Sequence, residues 1–213
     1  MITITYNFQS LVKDIDETET SAEEETQEIS GEIFFMNEDL VSKKIGRLLL
    51  VHLNLDEILK NDTDIFSILD TNGSLFHYYD TIIGDDSGFV ELDSLVLDHY
   101  ENNSEDFFLN SFNLLIIDKI EILPEFRGKD IVKKVIKNAG NLFLGTDLIV
   151  LNAYPLQFDY FEESYGMDEW EKSLKLEEFS QDGEVGTDKL IKAYEKSGFV
   201  SSKKPFIMFK LNN

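Results

Sequence analysis

Apolar and polar positions alternate through residues 2–8 (ITITYNF), a spacing that predicts a strand with one buried face. Two more strands are predicted at 31–36 (GEIFFM) and 46–55 (GRLLLVHLNL), the second apolar enough to be buried on both faces for much of its length. Between residues 56 and 83, Ile58, Leu59, Ile65, Phe66, Ile68 and Leu69 fall at helical spacings interrupted by Asn72-Gly73, which predicts one or two helices. A weaker helical pattern runs through 85–110, where Phe89, Leu92, Leu95, Val96 and Leu97 stand among acids and asparagines.

The second half is more regular. Residues 113–123 (NLLIIDKIEIL) predict a strand ended by Pro124, which has no amide to donate. Ile131, Val132, Val135, Ile136, Ala139, Leu142 and Phe143 then recur at helical spacing over 130–143, with Lys133, Lys134 and Lys137 on the opposite face. A strand at 147–151 (DLIVL) follows. The order predicts a βαβ unit with neighbouring, parallel strands. Residues 155–186 hold no period and read as a long acidic and aromatic excursion that carries the single tryptophan, Trp170. Thr187 or Asp188 can cap a helix bearing Leu190, Ile191 and Tyr194, Gly198 suits its left-handed end, and 205–211 predicts a closing strand.

Length and apolar content support one α/β domain spanning 1–213. Charge changes the picture more. Forty-two acidic against 19 basic residues give a formal net charge of −23, which repels nucleic acid and anionic membrane surfaces before contact. Seven acids and no base lie between 16 and 28, within an acidic loop over 14–30, and that stretch is expected to be a solvated loop or helix surface that buries almost no surface. The charge serves solubility, and also suits a basic protein or a cationic acceptor. Cysteine is absent, which removes disulfides, thiolate metal sites and cysteine nucleophiles. His52, His77 and His99 lack ligand spacing and no calcium-loop pattern occurs, so no metal is expected. His52 reads as a core imidazole. With no spanning apolar run and no basic-then-apolar N-terminal pattern, a cytoplasmic location is the expectation.

The segment Ile120-Glu121-Ile122-Leu123-Pro124-Glu125-Phe126-Arg127-Gly128-Lys129 resembles the signature of the GNAT (N-acetyltransferase-like) superfamily. Ala193-Tyr194-Glu195-Lys196-Ser197-Gly198-Phe199 resembles its late helix, and Pro155-Leu156-Gln157-Phe158 resembles an element of a bacterial subgroup. The likeness covers 113–211; residues 1–110 agree only in pattern. It implies a mixed central sheet flanked by helices and a protein that transfers acetyl from acetyl-CoA to an amine. The loop Arg127, Gly128, Lys129, Asp130, Ile131 and Val132 would hold the pyrophosphate with backbone amides at a helix N-terminus. Backbone groups of Ile120, Glu121 and Ile122 would pair with the pantetheine arm.

Two glycines usual in that loop are Asp130 and Val132 here. Asp130 is expected to cap the helix in the phosphate's place, impairing or abolishing acetyl-CoA binding. Tyr194 would be the acid that protonates the leaving thiolate, or else packs with Leu190 and Ile191. Glu121 is a candidate general base, although a solvated strand residue is the plainer reading. The alternative to an enzyme is an inactive relative serving as a binding or regulatory module through its acidic surface or the Trp170 segment.

Overall fold

A computed structural model describes residues 1–8, 26–60, 73–84, 91–92, 94–103, 111, 113–158, 167–204 and 206–212. The strands are β1 (Ile2–Phe8), β2 (Thr26–Met36), β3 (Ser42–Leu53), β4 (Ile83–Gly84), β5 (Glu91–Leu92), β6 (Leu114–Ile122), β7 (Leu148–Asn152), β8 (Val200–Ser201) and β9 (Ile207–Leu211). The helices are α1 (Leu55–Lys60), α2 (Gly73–Ile82), α3 (Ser94–Asn103), α4 (Ile131–Leu142), α5 (Glu169–Ser173) and α6 (Gly183–Glu195). Strands β4 and β5 pair with each other; the other seven form one sheet in the order β1-β2-β3-β6-β7-β9-β8.

Every pairing in the large sheet is antiparallel except β6 with β7. Those two are parallel, with α4 in the connection between them, as the βαβ pattern predicts. Helices pack on both faces. Leu114 and Ile116 of β6 join Val51, Val150 and Phe209 in one core with residues of α1, α2 and α3. Leu115 and Ile117 join Leu50, Ile149 and Met208 in another, closed by Val135, Ile136 and Ala139 of α4. Burial on both faces explains the unbroken apolar run LLII at the start of β6. The result is a mixed α/β architecture consistent with the N-acetyltransferase-like fold.

Several boundaries differ from expectation, each for a local reason. Residues 26–30, placed in the acidic loop, belong to β2: Ile29, Gly31 and Ile33 are buried while Glu28 and Ser30 face solvent. The acids hid an alternation that was already there. Residues 16–25 lie outside the described chain, so the expectation for the acidic loop remains one. Helix α6 begins at Gly183 under the Asp182 side chain, which accepts from the Val185 amide at 3.2 Å, rather than at Thr187 or Asp188. Two glycines in its first turns lower helix propensity and obscured the start. Gly186 is placed by packing, since a Cβ there would come 3.0 Å from Pro155. The excursion is also partly ordered: α5 opens with a reciprocal capping box between Asp168 and Glu171. At the far end of α6, Gly198 takes φ +90° as its position required.

Gly46 shows how closely β3 and β6 approach beside the cleft described below. A Cβ at this position would lie 2.5 Å from the Glu121 carbonyl oxygen and 2.9 Å from Ile122 Cδ1. Backbone must move to admit it. Gly46→Ala should therefore destabilise the fold by ~1–3 kcal/mol, the usual cost of overpacking. A denaturant titration showing an unchanged midpoint would refute that constraint.

Candidate functional site

The site arises because β6 outlasts its partner. β6 and β7 pair at residues 114–117 with 148–151, and beyond Ile117 β6 runs on to Ile122 while β7 ends at Asn152. On its other side β6 stays paired with β3, but the register shifts there: Leu50 faces Ile117 and Leu49 faces Lys119, leaving Asp118 as the extra residue of a bulge. A bulge bends its strand. The bend falls where β6 leaves β7.

Between the parted strands lies a cleft of about 250 Å³. Asp118, Ile120 and Glu121 of β6 form one wall, and Asn152, Leu190 and Tyr194 stand among the residues opposite. Its far end reaches Arg127 and Val132. The Pro-Leu-Gln-Phe element helps to shut it: Pro155 and Gln157 are buried, and the Gln157 amide donates to the Ser180 carbonyl at 3.0 Å. The sequence-derived residues Ile120, Glu121, Ile122, Arg127, Val132 and Tyr194 therefore line one cavity. Gly128, Lys129 and Asp130 are exposed just before α4, and Ile131 is buried in the core.

The loop before α4 corrects one expectation. Asp130 occupies the N-cap position, yet its side chain makes no capping hydrogen bond and its backbone is left-handed, with φ 55° and ψ 19°. A side chain there cannot aim back at the first amides as an extended N-cap residue does. Asp130 has kept the conformation that suits glycine. Gly128 is left-handed too, at φ +71°, with nothing within 4 Å of where its Cβ would stand. The amides of residues 128–133 consequently find no acceptor among the described residues. A set of unpaired amide donors is left at this helix end, with one carboxylate beside it.

Arg127 is differently employed. Its Nε donates to the Ile122 carbonyl at 2.9 Å, another guanidinium nitrogen donates to the Leu174 carbonyl, and its plane lies 4.4 Å from the Phe179 ring. Burial lowers its pKa below the usual arginine value, without any prospect of neutrality at ordinary pH. The side chain fastens the end of β6 to the 174–179 segment. Lys129 is exposed, its ammonium 5.1 Å from the Phe126 ring.

Glu121 is buried, only 5% exposed, against the plainer expectation of a solvated residue. Its carboxylate accepts from Trp170 Nε1 at 2.6 Å. Trp170 lies between this bond and two cations, with Arg47 4.9 Å and Lys44 5.0 Å from its ring centre. Nothing in the local sequence links positions 121 and 170; the pairing comes from the chain's return over the sheet. Tyr194 lines the cleft and also packs in the α4 core beside Leu190 and Ile191, edge-on to Phe199 at 5.9 Å. Burial pushes its phenol up to about 12, which keeps the proton in place at neutral pH.

The local sequence does not single out Asp118, because its bulge depends on register with β3. Burial raises its carboxyl above the usual range, with Lys119 opposing and Glu28 adding to the shift. His52 is the core imidazole expected: it lies 3.1 Å from the Thr146 hydroxyl, stacks on Phe143 at 5.3 Å, and has its pKa lowered by burial. Among the described residues no cluster of side chains could hold a metal ion, and no helix is long and apolar enough to cross a membrane.

No family model matches the chain, and no curated protein matches it. Among solved structures it is similar to arylalkylamine N-acetyltransferase 2 from Aedes aegypti, at 19% identity, over 85% of this chain and 73% of that one, with a TM-score of 0.33. A likeness of that size carries no argument about activity. The fold class stands on the strand order and the β6–α4–β7 unit.

Two substitutions test these local claims. Asp130→Gly should stabilise the protein by about 1 kcal/mol, because a left-handed residue loses its Cβ clash and no cap is removed; a lower denaturant midpoint would restore the capping role. For Asp118, the raised folded pKa means that the native state binds the proton more tightly than the unfolded chain. Stability is therefore lost as pH rises from the ordinary aspartate value of 3.8 through the raised one. Asp118→Asn should raise the melting temperature at neutral pH, with the advantage fading below that ordinary value. Equal melting curves at pH 7 would show that the carboxylate is well solvated.

Proposed function

We propose that the protein is an N-acetyltransferase-like enzyme that takes acetyl-CoA into the cleft between β6 and β7 and delivers acetyl to an amine held near Glu121. The observation that carries this reading is the parting of the two parallel strands, which opens the β6 backbone at 118–122 along a cleft leading to the N-terminus of α4. An extended amide-bearing arm suits an open strand edge, and its anionic end suits the amides of 128–133. A further point of fit is Asn152, whose buried Oδ1 has no hydrogen-bond partner and borders the cleft. An N–H of a bound arm would satisfy it. Asp130 and Val132 count against tight binding, the first by charge and the second by a β-branched side chain beside the amides.

Acetyl-CoA would supply the acyl group as a thioester, and transfer balances when the amine nitrogen bonds to the carbonyl carbon as the carbon–sulfur bond breaks. Glu121 accepts the proton that the nitrogen gives up. Trp170 holds that carboxylate in one orientation. Tyr194 keeps its proton on Oη at neutral pH and offers it as a hydrogen bond to the sulfur that departs as thiolate, while its raised pKa, above that of a thiol, opposes full transfer of that proton.

A non-catalytic binding protein is the second reading, and the Asp130 carboxylate beside the amides is what favours it. Thermal denaturation with increasing acetyl-CoA separates the two, since a ligand of the native state raises the melting temperature with concentration. We expect a rise for the native protein and a larger one for Asp130→Gly. Tyr194→Phe should keep that shift while lowering turnover on any accepted amine by ~10²-fold or more. No shift in either the native protein or Asp130→Gly would eliminate the transferase reading.

A further inference from the structure

A second opening of about 370 Å³ borders Glu121, on the face of the sheet away from α4. Its floor is built by cross-strand neighbours of β2, β3 and β6. Glu32, Arg47 and Glu121 face one another across the three strands, and Ser30, Leu49 and Lys119 form the adjoining row. Neighbouring strands stand ~4.8 Å apart, so the first row presents carboxylate, guanidinium and carboxylate at that spacing. Both openings share Lys119 and Glu121 in their walls. The two clefts meet at the proposed base.

The charge of the second opening departs from that of the chain. Three of its ten lining residues are basic, Lys44, Arg47 and Lys119, whereas the whole sequence has 19 basic residues in 213 and a net charge of −23. General electrostatics would draw a cation to such a protein; this cleft gathers cations of its own. Lys44 is paired with Glu32. Arg47 reaches Asp168 only at 3.5 Å, with side chains 41% and 53% exposed, a weak surface pair that an incoming carboxylate can displace. A guanidinium receives such a group through two parallel hydrogen bonds.

We propose that this second cleft receives the acceptor, and that the acceptor is a small amine carrying a carboxylate, its amine at Glu121 and its carboxylate at Arg47. The proposal rests on the transferase reading for its chemistry but not for its binding. The adjacency of Glu121 and Arg47 in one cross-strand row matches an ammonium and a carboxylate a few bonds apart. The ammonium still suits the overall charge, and the carboxylate narrows the class. Trp170, the only tryptophan in the chain, stands over Arg47 and Lys44 at the edge of this cleft and reports on it directly.

The test is a fluorescence titration without acetyl-CoA. γ-Aminobutyrate, L-glutamate and L-aspartate are set against n-propylamine and putrescine, which lack the carboxylate. We expect a saturable change in Trp170 emission for at least one amino carboxylate, at a concentration tenfold or more below that of either plain amine. Arg47→Gln should weaken that binding about tenfold, while Lys137→Gln, an equal charge change on the exposed side of α4, should leave it unaltered. Equal affinity for propylamine and γ-aminobutyrate, equal losses in both variants, or no saturable change with any amino carboxylate would overturn the proposal. Release of CoA thiol is then followed with the same amines. Binding without thiol release upholds the site and removes the transferase reading, whereas acetylation of the plain amines alone upholds the transferase and removes this acceptor class.

Discussion

A strand that is paired throughout on one side and only halfway on the other sets the character of this molecule. Where β6 keeps both neighbours, its residues alternate between two cores and the structure is closed. Beyond Ile117 one row of backbone donors and acceptors loses its partner, and such groups cannot be buried idle without cost. The bulge at Asp118 bends the strand at that point, Arg127 ties its far end to the Leu174 carbonyl, and α6 brings Tyr194 across the gap. A fixed opening beside a fixed strand edge is the outcome. Sheet pairing elsewhere holds it open.

The balance of charge follows the same geography. The acids that dominate the composition have little to do with the cleft, where the informative carboxylates are few and individually held. Glu121 is anchored by an indole N–H, Asp118 is raised by burial, and Asp130 stands left-handed with its side chain uncommitted to the helix. Net charge speaks to long-range encounter, while local rows of side chains decide what is retained.

Much of this architecture was legible before any coordinates. The βαβ unit was, because burial on two faces, a proline stop and an amphipathic helix each leave a pattern within a dozen residues. The position of the loop at 127–132, between the end of β6 and the start of α4, was legible through its likeness to a known motif. Its condition was not, since a backbone dihedral at Asp130 is invisible in a side-chain alphabet and Asp reads first as a cap. The Glu121–Trp170 bond spans 49 residues and the Asp118 bulge depends on register with β3; both are long-range facts that no local period encodes. The start of β2 was missed for the opposite reason, because a conspicuous run of acids overshadowed a modest alternation.

Strand β9 lies inside the sheet, between β7 and β8, although it follows both of them in sequence. As the protein is synthesised, β7 therefore waits with an open edge until residues 207–211 emerge. The three N-terminal strands can assemble from neighbours in sequence, β3 can accept β6, and α4 can dock, all before that strand exists. The β7 side of the cleft cannot be completed so early, because β7 is stabilised on its second side by β9. Completion of the cleft is thus a late step of folding, coupled to closure of the sheet by β9.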